Sequence, residues 1–527
     1  MVHIATLDVG TTNVRCFITN ATCEVLGSSS EKVVLLNPLP GYFEIEPETL
    51  WTQIVRVINN AVLDAQLKPC DITCFGLSTQ RCTFLTWNHE TQECYHNFIT
   101  WKDLRANELV NQWNAGIAIK TLNAFSYVLY LITRSKRFLA ASVLKMMNSQ
   151  VTLRLLHETQ TNKRLQEALK LRKVRVELLD SWILYKLRSG NGIRKNIDHI
   201  SDITSATATG LFDPFTLSWS PLLKHLFGID SSLLPNVVDN GCKDFGYIDS
   251  RALGPEWHNS RILISASTSD QTAAMWGSQC FNRGDVKITL GTGAFLDMVT
   301  GSECHASLTG MYPLVAWQFK DNQKHDRTVY CVEGASNDIG TVIEWAMRCG
   351  FFTNPMETTN IAESVSDTNG VYFVPAFSGL GPPINDQKAA SGFIGITPST
   401  HRPHLVRAIL ESIVFRTVQL CEAVENENKC TLKLLRVDGG VSRSDFVCQL
   451  LADSTGKCVE RAVSVESSIM GASYMAGYNI GLWNSFEKLR QLRKIDRTFR
   501  PRPEYQSKIL ANMKNWLKAT ERFGSWY

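Results

Sequence analysis

The sequence predicts an α/β protein built of two lobes, and three observations carry that expectation. A chain of 527 residues is longer than one hydrophobic core usually organises, so it divides into units of a few hundred residues. Short apolar strands alternate with amphipathic helices through both halves, the pattern of α/β packing. A strand, a Gly/Thr turn and a returning strand stand near the start of each half: Ile4 to Ile18 around Gly10-Thr11-Thr12, and Val286 to Met298 around Gly291-Thr292-Gly293.

Taken in order, the first half opens with an alternating strand, Ile4 to Asp8, and its return, Arg15 to Thr19. It continues to Leu253, where Gly254-Pro255 marks a boundary; the expected lobes are therefore 1–253 and 254–527. Arg261 to Ala266 reads as a buried strand opening the second lobe. Ile264 to Ala274 reads as a strand end, a polar loop and a helix, with Asp270 and Gln271 at the junction. Leu435 to Asp438 is a buried strand ending in Gly439-Gly440, with a helix from about Asp445. In both Gly/Thr turns glycine is expected to supply positive φ, which lets backbone N–H groups and Thr hydroxyls point at an anion. Two such turns facing each other would grip a phosphate chain; the plain alternative is two ordinary hairpins.

Composition excludes several classes. Apolar residues at 44%, aromatics at 9% and charged residues at 20% are globular values. The net charge of +4 is spread out, and runs such as Arg134, Lys136, Arg137 and Arg172, Lys173, Arg175 read as solvated faces, so no nucleic-acid partner is expected. The 15 cysteines show no CxxC pairing, which indicates neither zinc nor a disulfide framework. With no signal-like N-terminus, a cytoplasmic protein with reduced thiols is expected. Phe125 to Leu144 is interrupted by Arg134, Lys136 and Arg137, so no transmembrane segment is expected. His157 and His258 have no partner spacing and read as fillers.

The chemistry-bearing residues cluster at the turns. Asp8 ends the first strand and can hold a metal ion directly or through water; Mg²⁺ prefers oxygen ligands and keeps several waters. Thr11, Thr12 and Arg15 follow within reach of phosphate oxygens. Asp270 can accept a proton from an attacking hydroxyl while Gln271 orients the substrate. The competing reading of Asp270 is a helix N-cap. Gly439-Gly440, between strand and helix, lets backbone approach a nucleotide.

These residues resemble the glycerol kinases of the FGGY carbohydrate kinase family, nearly end to end. The resemblance is carried by Leu7 to Thr12, Ser78-Thr-Gln-Arg81, Ile99 to Arg105, Asp270-Gln271, Gly291-Thr-Gly293, Val374 to Gly381, Asp438-Gly-Gly440, and a signature pair, Ser391 to Ile396 with His404 to Glu411. It implies two actin-like/ribonuclease H-like lobes with an ATP cleft between them, and ATP and Mg²⁺ as cofactors. It implies Asp270 as general base, Asp8 near the metal, and Thr11, Thr12 and Arg15 around the transferred phosphoryl. Thr292 and Gly340 would contact ATP phosphates and ribose, with Gly440 under the adenosine. Arg81, Asp270 and Gln271 would contact polyol hydroxyls, and Trp101 would wall the carbon chain. The implied reaction takes ATP and glycerol to sn-glycerol 3-phosphate; a homo-oligomer is left open.

Some positions depart from the family pattern. Arg81 is followed by Cys82 where a glutamate usually hydrogen-bonds glycerol, and the substrate-side tyrosine is not evident in Val143 to Val151. Ser444 stands near the place of a nucleotide-side asparagine. A kinase for another small polyol or sugar, and a weakly catalytic nucleotide-binding interaction protein, are the competing readings.

Overall fold

A computed structural model describes residues 1–190, 197–241, 245–320 and 326–527, without the side chains of 222–224, 320, 326 and 327. The chain begins with an antiparallel meander, β1 (His3–Val9), β2 (Asn13–Asn20) and β3 (Val25–Lys32). Helix α1 (Pro47–Asp64) returns the chain to β4 (Cys74–Thr79), parallel to β1. A helical hairpin follows, α2 (Asn107–Ala115), α3 (Ile117–Thr133) and α4 (Lys136–Ala141). Strand β5 (Leu263–Ser269) then pairs parallel with β4 and runs into helix α5 (Asp270–Gly277). The first sheet has the order β5-β4-β1-β2-β3. All seven residues of β1 are buried, because α1 covers the face of Ala5, Leu7 and Val9 while other helices cover Ile4 on the opposite face. The expected alternation is therefore absent at this central strand, as it is for strands enclosed on both sides.

The second sheet repeats the plan. Strands β6 (Val286–Leu290), β7 (Ala294–Gly301), β8 (Tyr312–Lys320) and β9 (Asp326–Ser336) form its antiparallel part. After α6 (Gly340–Arg348) and the long α7 (Arg402–Asn428) come β10 (Leu434–Asp438), α8 (Asp445–Thr455), β11 (Cys458–Ala462), α9 (Ser467–Asn479) and β12 (Ile495–Phe499). The order is β8-β9-β7-β6-β10-β11-β12, with β6, β10 and β11 parallel. Three antiparallel strands followed by two parallel ones thus occur in both sheets, so the expected two-lobed α/β architecture is the one observed.

One expectation needs correction. The strand expected to open the second lobe is the edge of the first sheet, so the passage between sheets lies between Gly277 and Val286 rather than at Gly254-Pro255. Asp270 accordingly rides on the first lobe. The lobes are joined where α5 crosses α9, whose residues Met470 and Met475 pack with Ile4 and Cys74 against the first sheet. The crossing leaves no room for side chains: a Cβ on Gly471 would lie 1.7 Å from the Ala273 carbonyl oxygen, and one on Gly277 2.1 Å from that of Ser467.

In the stretch around Arg134, helix α3 ends because Arg134 takes the left-handed conformation (φ 57). Among the described residues no single helix is long and apolar enough to cross a membrane. The described cysteines are free thiols.

Candidate active site

A cavity of about 1350 Å³ lies between the lobes, and both Gly/Thr turns line it. In the first turn the Gly10 N–H donates to the Asn13 carbonyl oxygen at 3.0 Å, presenting Thr11 and Thr12 to the cavity. In the second, the Gly291 N–H donates to the Gly293 carbonyl oxygen at 3.0 Å, presenting Thr292. None of these three glycines takes positive φ, contrary to expectation. Gly293 is required instead by a close approach, since a Cβ there would lie 2.9 Å from the Ser336 carbonyl oxygen. Gly340 does not line the cavity; its N–H donates to the Thr292 carbonyl oxygen at 2.9 Å, and a Cβ on it would lie 2.6 Å from the Gly291 oxygen. It braces the turn from behind.

Asp8 lies at the floor. Its Oδ1 accepts from Ser78 Oγ at 2.6 Å and its Oδ2 from Ser468 Oγ at 3.0 Å, which ties the end of β1 to β4 and to the start of α9. Burial pushes its carboxyl up, against these hydrogen bonds and the neighbouring Arg15. Arg15 also lines the cavity and is ion-paired with Glu466. Asp438 faces the same space with Oδ1 buried and without a hydrogen-bond partner. No cluster of three or more metal-ligating side chains occurs among the described residues. One or two carboxylates with phosphate oxygens and water suit Mg²⁺, so Asp8 and the orphaned Asp438 oxygen fit that ion.

Asp270 stands at the start of α5, but Ser269 is the N-cap, its side chain accepting from the Thr272 N–H. The capping alternative for Asp270 is thereby displaced. Its side chain is 24% exposed, into the cavity, and Arg81 Nε lies 3.9 Å from Oδ1. Burial raises the Asp270 carboxyl to about 6, partly offset by Arg81. Gln271 is oriented from below: the buried Lys287 Nζ donates to its Oε1 at 2.5 Å, to Thr289 Oγ1 at 2.9 Å, and pairs with Asp297 at 2.6 Å. Trp101 Nε1 donates to Thr11 Oγ1 at 2.9 Å, and its ring meets Phe295 edge to face at 6.1 Å. The loop carrying Trp101 is fixed by Arg105, which reaches Asp103, Glu44 and Glu158.

Asp8, Thr11, Thr12, Arg15, Arg81, Trp101, Asp270, Gln271, Thr292 and Gly440 therefore all face one cavity, and Gly340 alone of the expected site residues does not. The paired signatures lie elsewhere: Gly392–Ile394 is a strand paired with Tyr372–Val374, and Arg407 bonds Glu411 within α7. Sequence reasoning missed Glu333, which lines the cavity and accepts from Arg81 Nη2 at 2.5 Å. Its signal was a lone carboxylate in the apolar run Tyr330-Cys-Val-Glu-Gly334. Tyr312, which donates to Met147 Sδ, was missed as well; it lines the same end from β8. Ser444 caps α8 and bonds Thr359 at 2.7 Å.

The family model described as "FGGY family of carbohydrate kinases, N-terminal domain" matches residues 3–277, and the C-terminal domain model matches 286–480. Glycerol kinase 5 of Bos taurus is 41% identical over 522 residues, covering 99% of this chain and 95% of the relative. A glycerol kinase of Nostoc sp. is 33% identical, covering 99% and 98%. Among solved structures, Plasmodium falciparum glycerol kinase with ADP superposes with a TM-score of 0.84 at 26% identity, covering 99% and 98%. Xylulose kinase from Lactobacillus acidophilus shares the fold with a TM-score of 0.80 at 20% identity, covering 99% and 98%.

Proposed function

The chain belongs to the FGGY family of carbohydrate kinases, and we propose that it moves the γ-phosphoryl group of ATP onto a terminal hydroxyl of glycerol, giving sn-glycerol 3-phosphate. It is a glycerol kinase-type phosphotransferase by its relatives; the acceptor and the residue roles are the proposal. The observation that carries them is Asp270, freed from capping by Ser269 and facing the cavity that both Gly/Thr turns line.

In this reading the backbone at Thr11, whose hydroxyl is taken up by Gln80 and Trp101, and the backbone and hydroxyls of Thr12 and Thr292 hold the phosphate chain, and Gly440 leaves open space for the adenosine, nothing lying within 4 Å of a Cβ there. Arg81, Gln271 and Trp101 position the acceptor. Asp270 takes the proton of the attacking hydroxyl, and a carboxyl held near 6 is mostly ionised at neutral pH. A magnesium ion held through Asp8 and Asp438 would neutralise charge on the β- and γ-phosphates. Closing the lobes keeps water from the γ-phosphate.

The test is ADP release with purified protein across a panel of polyols and sugars. Asp270→Asn should lower kcat by about 10²–10⁴-fold, the range for a general base, while ATP binding by calorimetry is retained. Removal of Mg²⁺ with a chelator should weaken ATP binding in the same calorimeter. A panel on which glycerol is outperformed would favour another polyol, a reading that Cys82 supports.

A further inference from the structure

The acceptor end of the cavity does not stop at a three-carbon polyol. Cys82 directs Sγ to the Ala208 carbonyl oxygen at 3.1 Å, and burial pushes its thiol up to about 11, so Cys82 itself puts no charge on this wall. Beyond it Cys82 packs in one apolar cluster with Met146, Leu144 and Ile119. The cavity continues past Met147 and Tyr312, which contact each other, to Phe138, Ala141 and Val143.

The cavity of about 1350 Å³ holds both phosphate turns and, beyond Cys82, a further stretch lined by Phe138, Ala141, Val143 and Met147. No acidic residue occurs between Glu108 and Glu158. The cations on this stretch of wall are Arg137, paired with Asp213 at 2.7 Å, and the exposed Lys145. Helix α3 lines the extension with Leu122, Asn123 and Ser126 and presents Phe125, Val128 and Ile132 to solvent at 60%, 51% and 74% exposure.

We infer that the acceptor is an amphiphilic polyol, a glycerol bearing an alkyl or acyl chain on one terminal oxygen, with its free terminal hydroxyl at Asp270 and its chain running past Cys82 and Met147 beneath α3. The inference rests on the kinase reading above. The hydroxyl oxygen forms the new bond to the γ-phosphorus, the bond from that phosphorus to the bridging oxygen breaks with its electron pair leaving on ADP, and the hydroxyl proton passes to Asp270.

The experiment measures ADP release by the full chain with glycerol and with 1-O-butyl-, 1-O-hexyl- and 1-O-octylglycerol, each below its micellar concentration. Because each buried methylene is worth about fourfold, kcat/KM should climb about two- to fourfold per methylene until the extension fills. Ala141→Trp should flatten the series by occupying it; if that variant does not fold, Leu144→Gln should flatten it instead. A series that is flat or falling while glycerol is phosphorylated overturns the inference and leaves the kinase reading standing. A rising series that survives in the folded variant overturns the assigned path. No transfer to any acceptor, glycerol included, overturns the kinase reading itself.

Discussion

Arg81 lies between two carboxylates that differ in what they are free to do. Glu333 is 7% exposed and holds Arg81 at 2.5 Å, whereas Asp270 is 24% exposed and 3.9 Å away. Glu333 thus fixes the guanidinium, and Asp270 stays open to a substrate hydroxyl. Replacing the Glu333 carboxyl should act through Arg81: Glu333→Gln is expected to raise the acceptor KM about tenfold, the weight of a hydrogen bond to a charged group, with kcat changed much less. Equal losses in both parameters would place Glu333 at the reacting atoms instead. The pH dependence follows from Asp270. Its carboxyl is raised above the unfolded value, so the ionised form is the less favoured one in the fold, and the stability linked to its proton is lost as pH rises from the unfolded pKa through about 6. Activity moves the opposite way, with kcat/KM rising through about pH 6 to a plateau as the base loses its proton; a profile flat from pH 5 to 7 would contradict that role. Asp8, Asp270 and Gln271 were legible in the sequence because each sits at a strand end beside a turn or helix start. Glu333, and the Lys287–Asp297 pair beneath Gln271, were not, because a lone charge inside an apolar strand reveals its partner only once the strands are in register.

At the scale of elements, both hairpins were legible from apolar strands flanking Gly/Thr turns, but the reason for the glycines was not. Close approach, a property of the neighbouring backbone, requires Gly293 and Gly340, and nothing in the local sequence announces it. The same constraint governs the α5–α9 crossing, where the Gly471 and Gly277 positions allow helix backbones to touch. Gly471→Val must separate them, because its Cβ would lie 1.7 Å from the Ala273 oxygen. The expected destabilisation is about 1–3 kcal/mol or more, read in urea unfolding, with loss of activity exceeding the loss of folded protein because α5 begins with Asp270 and α9 with Ser467 and Ser468. A variant of unchanged stability and activity would show that the crossing is not a fixed joint.

Across the whole molecule, the number and class of the lobes could be read from length and alternation, and the boundary could not. Strand β5 pairs with β4, whose residues stand far earlier in the chain, and such long-range pairing leaves no local mark; Gly254-Pro255 is a turn within the first lobe. The consequence is mechanistic. The first lobe carries Asp8, Arg81 and Asp270, the second carries Thr292, Glu333 and Gly440, and the cavity exists only between them. In the proposed mechanism phosphoryl transfer depends on both lobes together, with Asp270 carried on the strand and helix that lead from one to the other. The most direct test is transfer of labelled phosphoryl from γ-labelled ATP to glycerol and its 1-O-alkyl derivatives by the full chain and by Asp270→Asn. Labelled phosphate ester is expected from the native protein, with a loss of about 10²-fold or more in the variant and ATP binding intact. Label transferred equally well by Asp270→Asn, or to no polyol at all by the native protein, would contradict it.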